Sequence, residues 1–318
     1  SRRAEIAAAL QAIVPGEGVI TAADELAAYE SDGLAAYRQL PMLVVLPSTV
    51  EQVARVSKAF TDAGFRVVRF DNRDIGLTSK LHGKRAPNPI AQAAARFIGF
   101  GGSMAPYTLH DMVADTVGLM DALKIKRAHV VGVSMGGMIA QLMTATHPDR
   151  VASLTSIMSG TLNPRLPGPS TKVTVPLFLS RPKGKSREAL IERTMEMFSL
   201  IRTEDDDHGE FRTKIEQGFD RSYYPAGVRR QLAAIIATGD LRPHIRRIKT
   251  PTLIIHGSKD PLAPVEAGRD SARNIEGSRL EIIEGMAHDL PKKFLPRLSA
   301  LIIDHARAAE KAAAKMAA

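Results

Sequence analysis

The 318-residue chain contains no cysteine and no tryptophan. Without cysteine there is no disulfide, no thiolate nucleophile and no thiolate-ligated metal site. Long apolar runs are also missing. None approaches the roughly 20 residues that a membrane-spanning helix requires. The opening residues, Ser1-Arg2-Arg3-Ala4-Glu5, lead into an alanine-rich amphipathic stretch without the apolar core of a signal peptide. A cytoplasmic protein with no membrane partner is therefore expected. Aromatic residues make up only 5% of the chain, too few to offer a run of stacking platforms for bases. The formal charge of +9 is thus no sign of a nucleic-acid partner. The basic residues are scattered among carboxylates, and the pairs Arg229-Arg230 and Arg246-Arg247 read as solvated helix faces.

What the chain does have is a hydrophobic content of 44%, enough to fill the core of one large α/β domain. Residues 4–14 read as a helix, and a second short one starts near Thr21. Met42-Leu43-Val44-Val45-Leu46, between two prolines, reads as a buried strand. Ser48-Thr49-Val50-Glu51 is a capping box opening a helix that Gly64 closes. Phe65–Phe70 is the next strand, residues 79–108 are mostly loop, and a helix follows at 109–124. Strands are expected at Val151–Met158, Pro251–Gly257 and Arg279–Ile283. A last helix is expected at 292–309, with a fraying tail beyond it. Strands alternating with helices predict a mostly parallel sheet. Between residues 160 and 240 the pattern turns helical, with pieces at 187–201, 209–220 and 225–238. An insertion of this kind is where α/β enzymes place a lid. Its Met195 and Met197 read as lid core. Asp205-Asp206-Asp207-His208 reads as a solvated loop, because consecutive side chains diverge, and no metal site is expected.

The chain is organised around His129-Val130-Val131-Gly132-Val133-Ser134-Met135-Gly136-Gly137. A β-branched run ends in Gly-x-Ser-x-Gly and a helical stretch follows. That context reads as a nucleophile elbow, with Gly132 and Gly136 where a Cβ would clash. The turn exposes the Ser134 hydroxyl and aims the Met135 amide at the place where an oxyanion would form. The alternative is a small-residue turn between a strand and a closely packed helix. A dinucleotide fingerprint is disfavoured, because Ser134 replaces its second glycine.

A serine hydroxyl needs a base, and the base needs an orienting acid. After the strand ending at His256 come Gly257-Ser258-Lys259-Asp260-Pro261. After the strand ending at Ile283 come Glu284-Gly285-Met286-Ala287-His288-Asp289. The order Ser134, Asp260, His288 is that of the serine hydrolases of this architecture. Asp289 is expected to point away from the imidazole, and Glu284 is the weaker candidate acid.

With these residues in view, residues from about 60 to 309 resemble the α/β-hydrolase superfamily, most of all serine carboxylesterases of the aclacinomycin methylesterase type. Gly64–Gly76, the elbow, His256–Pro261 and Gly285–His288 carry the likeness. It implies an α/β-hydrolase fold with helices on both sheet faces and a helical lid. It also implies ester hydrolysis of a small molecule through an acyl-enzyme, with no cofactor and no metal. The same triad could serve a lactonase, a thioesterase or a carbon–carbon hydrolase, and an impaired hydrolase fold could act as a binding protein only. The chain departs from the family pattern at its start, which lacks the opening hairpin and the His-Gly loop that supplies a second oxyanion donor. Residues 5–58 instead resemble the start of FAD-linked oxidases of the glycolate oxidase kind, through Tyr29–Arg38 and Pro41–Pro47. That likeness stops before the flavin-binding glycine loop, so FAD is not expected. The expected organisation is an atypical segment at 1–58, core at 59–159, lid at 160–240, and core and tail at 241–318. Leu43–Leu46 would replace a lost strand, and the amide of Ser48 or Thr49 would complete the oxyanion hole.

Overall fold

Along Ala128–Val133 the side chains sort by parity. Ala128 and Val130 enter one apolar cluster, Val131 and Val133 another on the opposite face. A strand buried on both faces belongs in the middle of a parallel sheet. The computed structural model places it there, and it describes residues 42–45, 58–97, 104–179, 184–204 and 208–317. Among the described residues, six strands, β1 (Met42–Val45), β2 (Val67–Arg69), β3 (Ala128–Val133), β4 (Val151–Ile157), β5 (Thr252–Gly257) and β6 (Arg279–Ile283), form one sheet. Their spatial order is β2-β1-β3-β4-β5-β6. Every pairing is parallel, so every connection is a crossover. β1 lies between β2 and β3, with Met42 opposite both Val67 and His129. The helices read at 4–14 and from Thr21, the capping box at Ser48 and the stretch Tyr29–Arg38, on which the expected oxidase resemblance rests, lie outside the described residues.

Beyond the helical residues 58–62, the α-helices among the described residues are, in chain order, α1 (Pro89–Phe97), α2 (Leu109–Ala122), α3 (Met135–Thr146), α4 (Thr171–Leu179), α5 (Arg187–Ser199), α6 (His208–Arg221), α7 (Pro225–Thr238), α8 (Arg242–Ile245), α9 (Val265–Asn274) and α10 (Leu295–Ala317). One apolar cluster joins α2, α3 and α8 to the sheet through Met112, Met120, Leu142, Ile245 and Ile254. The other joins Phe60 and Phe65 to α10 through Val131, Ile255, Leu298 and Ile302. Helices therefore cover both faces. Three departures from the sequence reading have physical causes. The stretch read as loop at 79–108 contains α1. Asn88 Oδ1 accepts from the amides of Ile90 (2.9 Å) and Ala91 (3.1 Å), and Pro89 takes the first helical position. Pro176 and the Pro/Gly-rich run before it mask α4 in the sequence. The tail expected to fray continues α10 to Ala317.

The helical segment between β4 and β5 is tied to the loop after β2. Arg221 donates to Asp71 (2.6 Å), Ser222 Oγ to the Gly76 carbonyl (2.8 Å), and Gln231 Nε2 to the Arg73 carbonyl (3.0 Å). Arg230, read as part of a solvated face, is instead buried. Its guanidinium spans both carboxylate oxygens of Asp74 at 2.5 and 2.8 Å. Burial alone would push the Asp74 carboxyl up, but the Arg230 guanidinium, the Leu81 amide and the Tyr107 hydroxyl hold it below the usual range. A Cβ on Gly227 would stand 1.8 Å from the Asp74 carbonyl oxygen, so glycine is what lets α7 come this close. Nothing in the sequence around Arg229-Arg230 shows that one member of the pair turns inward.

Two consequences are measurable. Arg230→Met would strand the Asp74 carboxylate in the interior and is expected to lower stability by about 3–5 kcal/mol, read from urea unfolding. The second concerns pH. Burial holds the imidazoles of His129, His256 and His305 below their ordinary pKa. In the unfolded chain each takes up a proton near pH ~6.5. Below that point, and above the depressed folded values, the unfolded state binds more protons, so stability falls as pH falls. Asp289, pushed up by burial, acts in the opposite sense. The urea midpoint is expected to drop between about pH 7.5 and 5.5, and to drop less in His305→Gln.

Candidate active site

Ser134 sits between β3 and α3 with φ 53° and ψ −120°, a conformation that non-glycine residues rarely adopt. Its amide donates to the Ile157 carbonyl at 2.9 Å, which ties the turn to the end of β4. The turn closes because Gly132 has no side chain, as a Cβ there would meet the Gly136 carbonyl oxygen at 2.1 Å. A second close approach is at Gly137, where a Cβ would lie 2.6 Å from Ser159 Cβ. Met135 is the first residue of α3, and its N–H has no carbonyl one turn back to bond. The hydroxyl and this amide thus share the carboxyl end of the sheet.

The loops after β5 and β6 are stitched to one another. Ser258 N donates to the Ile283 carbonyl (3.1 Å), Lys259 N to the Met286 carbonyl (3.0 Å), and Gly285 N to Ser258 Oγ (2.9 Å). Gly257 allows the contact, since a Cβ would fall 2.2 Å from the Met286 oxygen. Asp260 is held in this seam with its side chain fully buried. Its Oδ1 accepts from the amides of Leu262 (2.9 Å) and Ala263 (2.8 Å). Its Oδ2 lies 2.7 Å from His288 Nδ1, and His288 Nε2 lies 2.9 Å from Ser134 Oγ. With Nδ1–H donating to the carboxylate, Nε2 is left to accept the serine proton. The arrangement can therefore deprotonate a hydroxyl as it attacks an electrophilic carbon.

The structure brings together Ser134, Asp260 and His288, and places Met135 beside them. Ser48 and Thr49 lie outside the described residues. Glu284 is exposed and takes no part in the chain of hydrogen bonds. Asp289 turns away from the imidazole, toward the segment that follows α5. There its Oδ1 accepts from Thr203 N (2.9 Å) and Thr203 Oγ1 (2.5 Å). His256 is a second imidazole near Asp260, fully buried, with Nε2 donating to the Ala263 carbonyl at 2.7 Å. Burial pushes the pKa of this ring below its ordinary value. Neither Thr203 nor His256 carries a sequence signal for such a place. Thr203 is remote in the chain, and His256 reads as a strand end.

The family model described as alpha/beta hydrolase fold matches residues 46–292, well over half of the chain. The match begins inside the segment expected to be atypical, not near residue 60. A rhodomycin D methylesterase of Streptomyces sp. (strain C5) is 29% identical over 270 residues, spanning 78% of this chain and 83% of that protein. A 2-hydroxymuconate semialdehyde hydrolase of Pseudomonas sp. (strain CF600) is 27% identical over 265 residues, 79% of this chain and 90% of that one. Among solved structures, a thermophilic esterase from Thermogutta terrifontis superposes with a TM-score of 0.63 at 22% identity, covering 85% of this chain and 90% of its own. A strained serine at a strand-to-helix turn, an acid and a histidine in the loops after two later strands, and a match to this family over most of the length converge: the chain belongs to the alpha/beta hydrolase fold family.

Proposed function

We propose that this hydrolase-family chain cleaves carboxylic esters of small molecules, with Ser134 as nucleophile, His288 as base and acid, and Asp260 as the group that orients the imidazole. The observation that carries the reading is the unbroken line Ser134 Oγ, His288 Nε2, His288 Nδ1, Asp260 Oδ2, with contacts of 2.9 and 2.7 Å. In the first step Ser134 Oγ attacks the ester carbonyl carbon as its proton passes to His288 Nε2. The negative charge that develops on the carbonyl oxygen meets the Met135 amide at the head of α3. Asp260 stabilises the imidazolium, and its own two amide bonds keep it from swinging away. The tetrahedral species collapses, His288 gives its proton to the departing alcohol, and an acyl group remains on Ser134. Water then attacks that acyl group by the same route, returning the carboxylic acid and the free serine.

A second oxyanion donor from Ser48 or Thr49 fits their position in the chain, just after β1, whose end lies beside β3. Without it turnover would be lower by about 10²–10³. In this reading the oxidase-like start supplies strand and helix to the hydrolase and holds no flavin. The helices α4–α7 act as a lid. The Leu, Met and Phe content of this segment, with Leu190, Met195 and Phe198 on α5, supports a short- to medium-chain, apolar ester. The likeness to a 2-hydroxymuconate semialdehyde hydrolase supports a second reading, hydrolysis of a carbon–carbon bond by the same three residues. A nucleophilic aspartate, as in epoxide hydrolases, does not enter, because serine holds the position.

Hydrolysis of p-nitrophenyl acetate, butyrate and octanoate by the parent and by Ser134→Ala tests the reading. The variant is expected to lose turnover by a factor on the order of 10⁶, with folding unchanged by circular dichroism. Equal rates in the two proteins would remove it. Loss of a vinylogous diketone chromophore without ester turnover would favour carbon–carbon cleavage.

A further inference from the structure

The loop that carries His288 is held by two different parts of the molecule. Up to Met286 its amides bond within the core, Gly285 N to Ser258 Oγ and Met286 N to the Ile283 carbonyl. From Ala287 onward the partners come from the lid. Ala287 N donates to Thr203 Oγ1 at 2.9 Å, and His288 N donates to the Ile201 carbonyl at 2.8 Å. Asp289 receives both the amide and the hydroxyl of Thr203 on one oxygen. Four hydrogen bonds thus join residues 201–203 to residues 287–289. Lys293 Nζ extends the seam by donating to the Glu204 carbonyl at 3.1 Å.

We propose that Thr203 and Asp289 form a latch by which the lid sets the position of His288, making both of them positioning residues for the reaction. The inference rests on the reading of His288 as the base. Thr203 is 2% exposed, and its hydroxyl both donates and accepts, so neither of its bonds has water as a ready substitute. Asp289 is largely desolvated, which pushes its carboxyl up, yet it keeps two donors from one residue. Such an arrangement fixes the backbone on both sides of the imidazole. The ring must meet Asp260 and Ser134 at the same time, and an error of about 1 Å at this point costs on the order of 100-fold in rate. Because residues 201–203 directly follow α5, a substrate that packs against α5 acts on the histidine through this seam. The lid then contributes to turnover, beyond covering the site.

The test compares Thr203→Val, which keeps the shape and deletes the hydroxyl, with Thr203→Ser, which keeps the hydroxyl. With p-nitrophenyl butyrate, T203V is expected to lose about 10- to 100-fold in kcat, with KM changed by less than about threefold. T203S is expected to stay close to the parent. The far-downfield proton resonance of the His288–Asp260 hydrogen bond should persist in T203S and broaden or vanish in T203V. A T203V protein with parental kcat and an intact resonance overturns the latch. So does an equal loss in T203S, which would mark a packing role only. If T203V does not fold, Asp289→Asn and Asp289→Ala carry the test. The first retains an acceptor oxygen and should keep turnover, the second should lose it, and equal activity in both overturns the proposal. A parent without Ser134-dependent turnover would end the esterase reading alone, and the resonance would still judge the latch.

Discussion

A serine held at φ 53° is a local excess of free energy, of order ~1–3 kcal/mol. Nothing in the turn itself repays that cost. The conformation persists because its surroundings leave no other way for the chain to run. The amide of Ser134 is captured by the Ile157 carbonyl of the neighbouring strand. The carbonyl of Ser134 accepts from Gly137 at 2.9 Å and Met138 at 3.2 Å, which starts α3 at once. Gly132 lets the first turn of that helix fold back against the end of β3. The sheet, buried on both faces, is thus the device that holds one hydroxyl outward, and the later loops are arranged around it.

The helical segment between β4 and β5 is attached to the body of the protein in two chemically different ways. Its carboxyl-terminal half, through Arg221, Ser222, Arg230 and Gln231, grips the loop after β2 with a buried ion pair and several backbone contacts. Its middle, at Ile201–Thr203, grips the histidine loop with uncharged or singly charged hydrogen bonds. Surface ion pairs run between α5 and α6, with Arg212 reaching Glu188 and Glu192 and Arg187 reaching Asp220. Pairs of that kind contribute little each and yield easily. These ion pairs thus bridge the segment that meets His288, and the buried anchor lies carboxyl-terminal to it.

Much of this is legible in the sequence, for reasons that can be named. The strands buried on both faces announce themselves as apolar β-branched runs. The two glycine turns after β5 and β6 announce the acid and the histidine, because a sharp reversal at a strand end needs glycine or a polar residue. Helix α1 escapes notice although Asn88-Pro89 is a sound start signal, since the alanines that follow have no apolar period. Helix α4 escapes it because proline within the helix outweighs its apolar content. The inward turn of Arg230 and the pairing of Thr203 with Asp289 have no local signature. Those contacts cross 156 and 86 positions, and a single sequence holds no record of which distant residues meet. His256 illustrates the same limit, as its buried ring differs from a surface histidine only through what surrounds it.

The parallel sheet has one more consequence, for the order in which the molecule comes into being. With no hairpin anywhere among its described strands, no two neighbours can pair without first closing a long loop, and β1 must find places beside both β2 and β3. Topologies of this kind form slowly, because entropy is lost before contacts return it. On the ribosome Ser134 emerges 154 residues before His288. Throughout that interval the chain carries the Ser134 hydroxyl without the His288 imidazole, which meets it only once β6 and the loop after it are in place.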